Sequence, residues 1–169
     1  MALPKKLKAQ NLFNDGNNYV GLVAEVTLPK LTRKTEDYRG GGMNMPIEID
    51  HGQEKLTLEW TCGGIMKDVL TQWGITKHDG VQLRFAGAYQ AEDGSKPDAV
   101  EVVIRGRHKE IDFGNQKPGE DTSFKVSSSV SYYKLSINGA TLLEFDAINM
   151  IENVNGTDLL ADLRNAIGI

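Results

Sequence analysis

The side chains that most often perform chemistry are few in this chain and lie far apart. Cys62 is the only cysteine, and the three histidines stand at positions 51, 78 and 108. A zinc site needs clustered histidine and cysteine ligands, which this spacing does not provide. Cys62 also continues the apolar side of an alternating stretch, as a small core residue does. We therefore predict neither a metal site nor a reactive thiol.

A run of three glycines at positions 40–42 is the other feature that suggests chemistry. Such a run can cradle a phosphate, but only between a strand and a helix, and no helix pattern follows it. A tightly turned loop tip explains the glycines better. The sequence also lacks the phosphate-binding, zinc-protease and serine-hydrolase motifs. We predict no enzyme and no cofactor, although a catalytic site assembled from distant residues stays open.

Size and charge narrow the class of protein further. The chain has 169 residues and a formal net charge of −4, so we predict one domain over residues 1–169. An acidic chain is a poor non-specific binder of nucleic acid, because phosphates are neutralised by lysine and arginine. No apolar run approaches the roughly 18 residues of a membrane span. No secretory signal pattern is present, and we expect assembly in the cytoplasm.

Apolar residues alternate with polar ones along most of the sequence, which predicts antiparallel strands. Such stretches cover residues 56–62, 81–90, 100–107 and 124–137, and Asn138-Gly139 is a hairpin turn. A slip in the alternation at Tyr132-Tyr133 predicts a β-bulge. Residues 11–28 read as strand, turn and strand. Helical spacing occurs only at 65–73 and 157–167. The predicted fold is a mainly β, antiparallel barrel or sandwich with one central and one C-terminal short helix.

Two stretches suggest that surfaces, and not a pocket, carry the function. Residues 30–50 are charged and glycine-containing, which predicts a projecting loop or hairpin. Ser127, Ser129 and Ser131 occupy one side of a long strand. They form either an ordinary solvent face or a smooth polar wall that does not grip passing material. Long strands also leave unpaired edges, which pairing with another copy would cover.

Several ordered segments resemble a known family nearly end to end. They are residues 11–16 (NLFNDG), 26–31 (VTLPKL), 38–43 (YRGGGM), 131–135 (SYYKL) and 155–165 (NGTDLL to RN). In this order and spacing, the chain resembles the major tail tube proteins of contractile-tailed bacteriophages and the tube proteins of R-type tailocins.

The resemblance implies a fold similar to that of the type VI secretion tube protein, and a structural role in the virion tail. Family members form six-fold rings that stack into a hollow tube inside a contractile sheath. The sheath drives the tube into the host envelope, and the DNA genome passes through the lumen without specific binding. Implied partners are other copies of the chain, the tail sheath protein, a baseplate or tube initiator, and a tape measure protein inside the tube. Assembly takes place in the host bacterial cytoplasm.

The resemblance also suggests which residues touch other subunits or rings. These are Leu12, Phe13, Leu28, Pro29, Leu31, Tyr38, Arg39, Gly40, Gly41 and Met43. The serines at 127, 129 and 131 are the candidates for the lumen wall. Two alternatives remain: the tube of a tailocin or type VI-like secretion apparatus that carries no genome, and a β-barrel enzyme with a dispersed site. A third, a carbohydrate-binding sandwich, would require exposed aromatic residues, which are few.

Overall fold

Antiparallel strands dominate the computed structural model, which describes residues 1–169. Strands hold 52% of the residues and helices 7%, which confirms the mainly β prediction. The strands are β1 (Lys6–Asn14), β2 (Asn17–Asn18), β3 (Val23–Thr27), β4 (Arg33–Tyr38), β5 (Ile47–Gln53), β6 (Leu56–Cys62), β7 (Val81–Gln90), β8 (Asp98–Asp112), β9 (Phe124–Ile137), β10 (Ala140–Asp146), β11 (Ile151–Val154) and β12 (Thr157–Asp158). The helices are α1 (Lys67–Thr71) and α2 (Ala161–Ile167), and neither is long and apolar enough to cross a membrane.

The two longest strands, β8 and β9, form the centre of the main sheet. They pair along their length, and the 14 residues of β9 extend for about 46 Å. The other edge of β9 is shared, because β6 pairs with its first half and β10 with its second half. The sheet then continues from β8 through β7, β1 and β2, and from β10 through β11 and β12.

A β-bulge bends β9 near its middle, close to the predicted slip in the alternation. Arg105 pairs with Tyr132 whereas the next residue, Gly106, pairs with Val130, so Ser131 has no partner on β8. The two strands approach so closely here that a Cβ on Gly106 would lie 1.8 Å from the carbonyl oxygen of Ser129. Glycine is therefore required at position 106, and the bulge lets one strand join two neighbours.

The core lies on the inner face of the sheet, where apolar side chains of several strands meet. Every second residue of β6 is buried, from Leu56 to Cys62, and Trp60 is 1% exposed. Apolar residues of β7, β8 and β9 complete the core, and Val69 of α1 covers one end. Cys62 is buried there, and burial raises its thiol pKa to about 11. The alternation thus predicted both the strands and their inward faces.

Local structure differs from the sequence prediction in three places. The segment predicted as a strand over 19–28 is divided, because the side chain of Asn18 accepts a hydrogen bond from the N–H of Val20 and turns the chain. Strand β3 then pairs with β6 and not with β1. Both helices are shorter than the patterns at 65–73 and 157–167. Met66 is extended before α1, and Thr157 pairs as β12 before α2.

Candidate assembly surfaces

The hairpin formed by β4 and β5 is the most exposed element of the fold. All six residues of β4 and the first five of β5 are exposed, so neither face of the hairpin is covered. The exposed large apolar side chains are Tyr38, Met45, Ile47 and Ile49. A two-stranded hairpin is marginal by itself in water, and these side chains give it a surface that a partner can bury.

The glycine run forms the tip of this hairpin. The N–H of Met43 donates to the carbonyl of Gly40 at 3.2 Å, which closes a four-residue turn. Gly42, the third residue, has φ +86°, a conformation that favours glycine. The ring of Tyr38 lies over Gly40, and Arg39 Nε donates to the carbonyl of Met43 at 3.1 Å. The glycines therefore build a tight tip and no phosphate cradle.

The outer edge of β1 is a second open surface. Residues 6–11 pair with β7 on one side, whereas β2 covers only Phe13 and Asn14 on the other. At the opposite end of the sheet, β12 is only two residues long. Open strand edges present unpaired backbone donors and acceptors, which pair readily with another chain.

The structure separates the residues that the sequence suggested as contacts. Leu31, Tyr38, Arg39 and Gly41 are exposed, and Gly40 and Met43 are half-buried in the hairpin tip. Phe13 and Leu28 are half-buried, and the guanidinium of Arg84 covers the Phe13 ring at 3.9 Å. Pro29 is buried, and Leu12 lies in the core with no exposed surface. The side chain of Leu12 is therefore covered within its own chain, and its contact with another copy stays a prediction.

The three serines lie where β9 passes between β6 and β8. Ser127 pairs with Glu59 of β6 and is 7% exposed, whereas Ser129 and Ser131 are half-buried. Ser131 is the bulged residue, and its hydroxyl donates to the carbonyl of Arg105 at 3.2 Å. The extra residue of the bulge shifts the alternation by one, so the even-numbered Ser136 continues the outward face on which Ser127 and Ser129 lie.

Two ion pairs form within the sheet on this outer face, whereas Arg105, Arg107 and Lys109 of β8 make none. Arg84 lies 3.6 Å from Glu101, and Lys125 lies 3.7 Å from Glu59. The guanidinium of Arg105 lies 4.7 Å from the centre of the Tyr132 ring. Exposed pairs of this kind add little to stability, but they reduce the free positive charge that the face offers to a phosphate.

A buried polar network holds α1 on the barrel. Gln72, at the end of α1, donates to Asn14 Oδ1 at 2.8 Å and to Asp15 Oδ2 at 2.7 Å. Its carbonyl oxygen accepts from Asn14 at 2.8 Å and lies 2.9 Å from His108 Nε2. Since that oxygen only accepts, Nε2 carries the proton, and His108 Nδ1 accepts from the Ser128 hydroxyl at 2.8 Å. Burial lowers the pKa of His108 from 6.5 to about 4.

Both helices expose apolar side chains that the body of the chain does not cover. In and around α1, Val69 is buried, whereas Ile65, Leu70 and Trp73 are exposed. At the C-terminus the exposed residues are Leu159, Leu163, Ile167 and Ile169. The helical spacing predicts both apolar faces but not which part of each face the chain itself covers. The exposed isoleucines of β5 escaped notice because charged neighbours surround them.

Known proteins resemble the chain along its whole length. A family model described as "Phage tail tube protein FII" matches residues 4–168. The "Tail tube protein" of Escherichia phage P2 is 48% identical over 172 aligned residues, covering 100% of both chains. The "Major tail tube protein" of Serratia phage KSP20 is 40% identical, covering 100% of this chain and 99% of the relative.

Solved structures share the fold at much lower identity. The sheath/tube terminator of the extracellular contractile injection system PVC, in its extended state, has a TM-score of 0.58 and 7% identity. The match covers 76% of this chain and 94% of that one. The tube-terminating cap of the anti-feeding prophage has a TM-score of 0.57 and 7% identity, over 75% and 87% of the two chains.

Proposed function

Because the chain belongs to the family of phage tail tube proteins, a structural family of the virion, we propose that it forms six-membered rings that stack into a hollow tail tube. A contractile sheath surrounds this tube and drives it into the host envelope. A baseplate or tube initiator starts the stack, and a tape measure protein occupies the lumen until the DNA genome passes through. Assembly takes place in the host bacterial cytoplasm.

The open edge of β1 is the observation that carries the ring proposal. Each copy has one long unpaired edge at β1 and a short strand, β12, at the other end of the sheet. Head-to-tail contact between such edges continues the sheet from one copy to the next. If each copy is rotated by the same angle relative to its neighbour, the copies close into a ring. Closure removes the exposed edges, as in any barrel.

The hairpin supplies the contact between rings in this proposal. It projects from the body with exposed Leu31, Tyr38, Arg39 and Gly41, and with Ile47 on β5. Burial against a neighbouring ring would cover these side chains and stabilise the hairpin. Phe13, Leu28, Gly40 and Met43 are half-buried and would add to the contact only at their accessible edges.

Electron microscopy of the purified chain tests this assembly. We expect rings or hollow tubes at high protein concentration, or after baseplate is added as a nucleus. The Ile47→Ser variant removes an exposed apolar side chain from the hairpin, and we expect it to lose stacking while remaining folded. Lys117→Ser, in an exposed turn, is the matched control. Monomers in the presence of baseplate would refute the proposal.

The outer face of β8 and β9 lines the lumen in this proposal. Ser127, Ser129 and Ser131 belong to this face, Ser136 extends it, and two ion pairs, Arg84–Glu101 and Lys125–Glu59, neutralise part of its charge. The short hydroxyl side chains of β9 carry no charge that binds a phosphate, and the cation beside them is Arg107 of β8, which pairs with Ser129.

Thiol labelling of assembled tubes tests the lumen assignment. Ser129→Cys and Ser136→Cys place a thiol on the proposed wall, and Ser95→Cys places one on an exposed turn. Cys62 stays silent because it is buried with a raised pKa. We expect the wall thiols to react with a small maleimide but not with one too large for the lumen. Full reaction with the large reagent would place the wall elsewhere.

A tube that carries no genome is the second candidate. Folds similar to this one include the sheath/tube terminator of the PVC contractile injection system and the tube-terminating cap of the anti-feeding prophage. Purified native particles distinguish the two functions. Capsids with packaged DNA on the same particles would establish a phage tail, whereas sheathed tubes without a capsid would establish a tailocin or secretion tube.

A further inference from the structure

The direction in which the β4–β5 hairpin leaves the body is set by very few contacts. Its strands are exposed on both faces, so packing does not hold it. A groove of about 290 Å³ lies at its base, between residues 52–56 on one side and side chains such as Tyr133, Phe145 and Glu152 on the other. Across this open groove the walls are not packed against each other, so apolar contacts there contribute little to fixing the direction of the hairpin.

One side chain crosses from the hairpin to the body. Arg33, the first residue of β4, donates from Nε to Asp50 Oδ2 at 2.8 Å and from Nη1 to Glu152 Oε1 at 2.5 Å. Asp50 lies in the hairpin, whereas Glu152 lies in β11 of the main sheet. The other side-chain hydrogen bonds of residues 33–53 stay within the hairpin and the residues that immediately flank it.

The local backbone prepares this bridge. Arg33 pairs with Gln53, but Thr35 pairs with Asp50, so β5 carries a bulge at residues 51–52. Gly52 has φ +111°, and its N–H donates to Asp50 Oδ1 at 2.8 Å. The bulge therefore turns the Asp50 carboxylate so that its second oxygen meets Arg33. The hydrogen bond from Arg33 lowers the pKa of Asp50, which keeps the carboxylate ionised.

The body side of the bridge is buried. Glu152 is 9% exposed, and Arg33 is the one cation that contacts it. A buried carboxylate needs a charged or hydrogen-bonding partner, and the planar guanidinium of Arg33 can donate hydrogen bonds to two carboxylates at once. Lysine has the same charge but lacks the two separate donor directions.

We infer that Arg33 is the positioning residue of the hairpin: by joining Asp50 to Glu152 it fixes the angle at which the hairpin projects toward a second copy of the chain. The angle itself is a property of the monomer. Its effect on stacking rests on the proposed function.

Distance measurements between two spin labels test the angle in the monomer. One label is placed at the tip by Asn44→Cys and the other on β10 by Thr141→Cys, where both native side chains are exposed. We expect a narrow distance distribution in the parent protein and a broad one in Arg33→Ala. Lys34→Ala is the matched control, because the neighbouring Lys34 is exposed and makes no ion pair, and we expect it to stay narrow. A narrow distribution in Arg33→Ala would overturn the inference.

A double variant separates positioning from simple stabilisation. Arg33→Ala leaves Glu152 buried without a partner, so we expect a lower melting temperature. Adding Glu152→Gln removes that charge, and we expect the melting temperature to recover while the distribution stays broad. If the distribution narrows as the melting temperature recovers, Arg33 acts only through stability and the inference is wrong.

Tube formation by the same variants connects the angle to assembly. We expect Arg33→Ala and the double variant to lose most tubes and Lys34→Ala to retain them. Normal tube yield from variants with a broad distribution would overturn the connection to stacking. If the parent protein forms no tubes even with baseplate, the proposed function fails, while the spin-label result still decides the role of Arg33.

Discussion

Acid sensitivity of the fold is expected from one buried histidine. His108 is 6% exposed, and its imidazole is neutral because it donates to Gln72 and accepts from Ser128. Burial lowers its pKa from 6.5 to about 4 in the folded protein, although the negative charge of Asp15 opposes that shift. Between these two pH values the unfolded chain binds a proton that the folded chain does not. The contribution of His108 to stability therefore falls as pH decreases through this window and no longer changes above it.

The size of the effect follows from the two pKa values. One pKa unit corresponds to about 1.4 kcal/mol, so the full difference amounts to about 3 kcal/mol near pH 4. At pH 5 the expected loss relative to pH 8 is about 2 kcal/mol. That is a large part of the roughly 5–15 kcal/mol by which domains are normally stable.

Urea unfolding of the monomer at several pH values between 5 and 8 measures this loss. His108→Gln keeps a donor and an acceptor but does not titrate, so we expect its stability to be nearly independent of pH over this range. His78→Gln, at an exposed position, is the control and should keep the pH dependence of the parent protein. Equal pH dependence in the parent protein and His108→Gln would refute the reasoning.

Three further outcomes are expected from the packing. Trp60→Phe should lower the free energy of unfolding, measured in urea, by only about 1 kcal/mol, because the buried indole N–H has no hydrogen-bond partner to lose. A loss of stability as large as that of Trp60→Ala would contradict this. Gly106→Ala should prevent folding or lower the melting temperature severely, whereas Gly63→Ala, which meets no atom within 4 Å, should have a small effect by circular dichroism. Leu12→Ala should destabilise the monomer by about 3 kcal/mol. Leu31→Ser, at an exposed site, should change the free energy of unfolding by less than about 0.5 kcal/mol while reducing tube yield in electron microscopy. A larger loss of stability in Leu31→Ser than in Leu12→Ala would contradict the assignment of Leu12 to the core and Leu31 to the surface.

The strands were largely predictable because their burial has a period of two. Leu56, Leu58 and Trp60 alternate with polar residues, and the structure buries each of them. The turn at Asn138-Gly139 also followed from residue type, since both residues adopt positive φ. These features are local, so neighbouring residues are sufficient to specify them.

The ends of elements and the fate of single side chains were less predictable. Leu12 lies in a segment that resembles a contact region, yet the core of the chain buries its side chain completely. Ile47 and Ile49 alternate with the acidic residues Glu48 and Asp50, and only their exposure in the fold identifies them as an apolar surface. Arg33 and Glu152 are 119 residues apart, so no local pattern connects them.

The sequence by itself determined the mainly β class, the core-facing alternation, the turns and the resemblance to tail tube proteins. Each depends on residue type and short-range spacing. The tertiary structure alone decided which edge of the sheet stays open, how the hairpin is tied to β11, and which polar groups surround His108. Those features depend on contacts between residues far apart in the chain. The pairing of strands in the sheet determines these contacts, and the residues next to them in sequence do not.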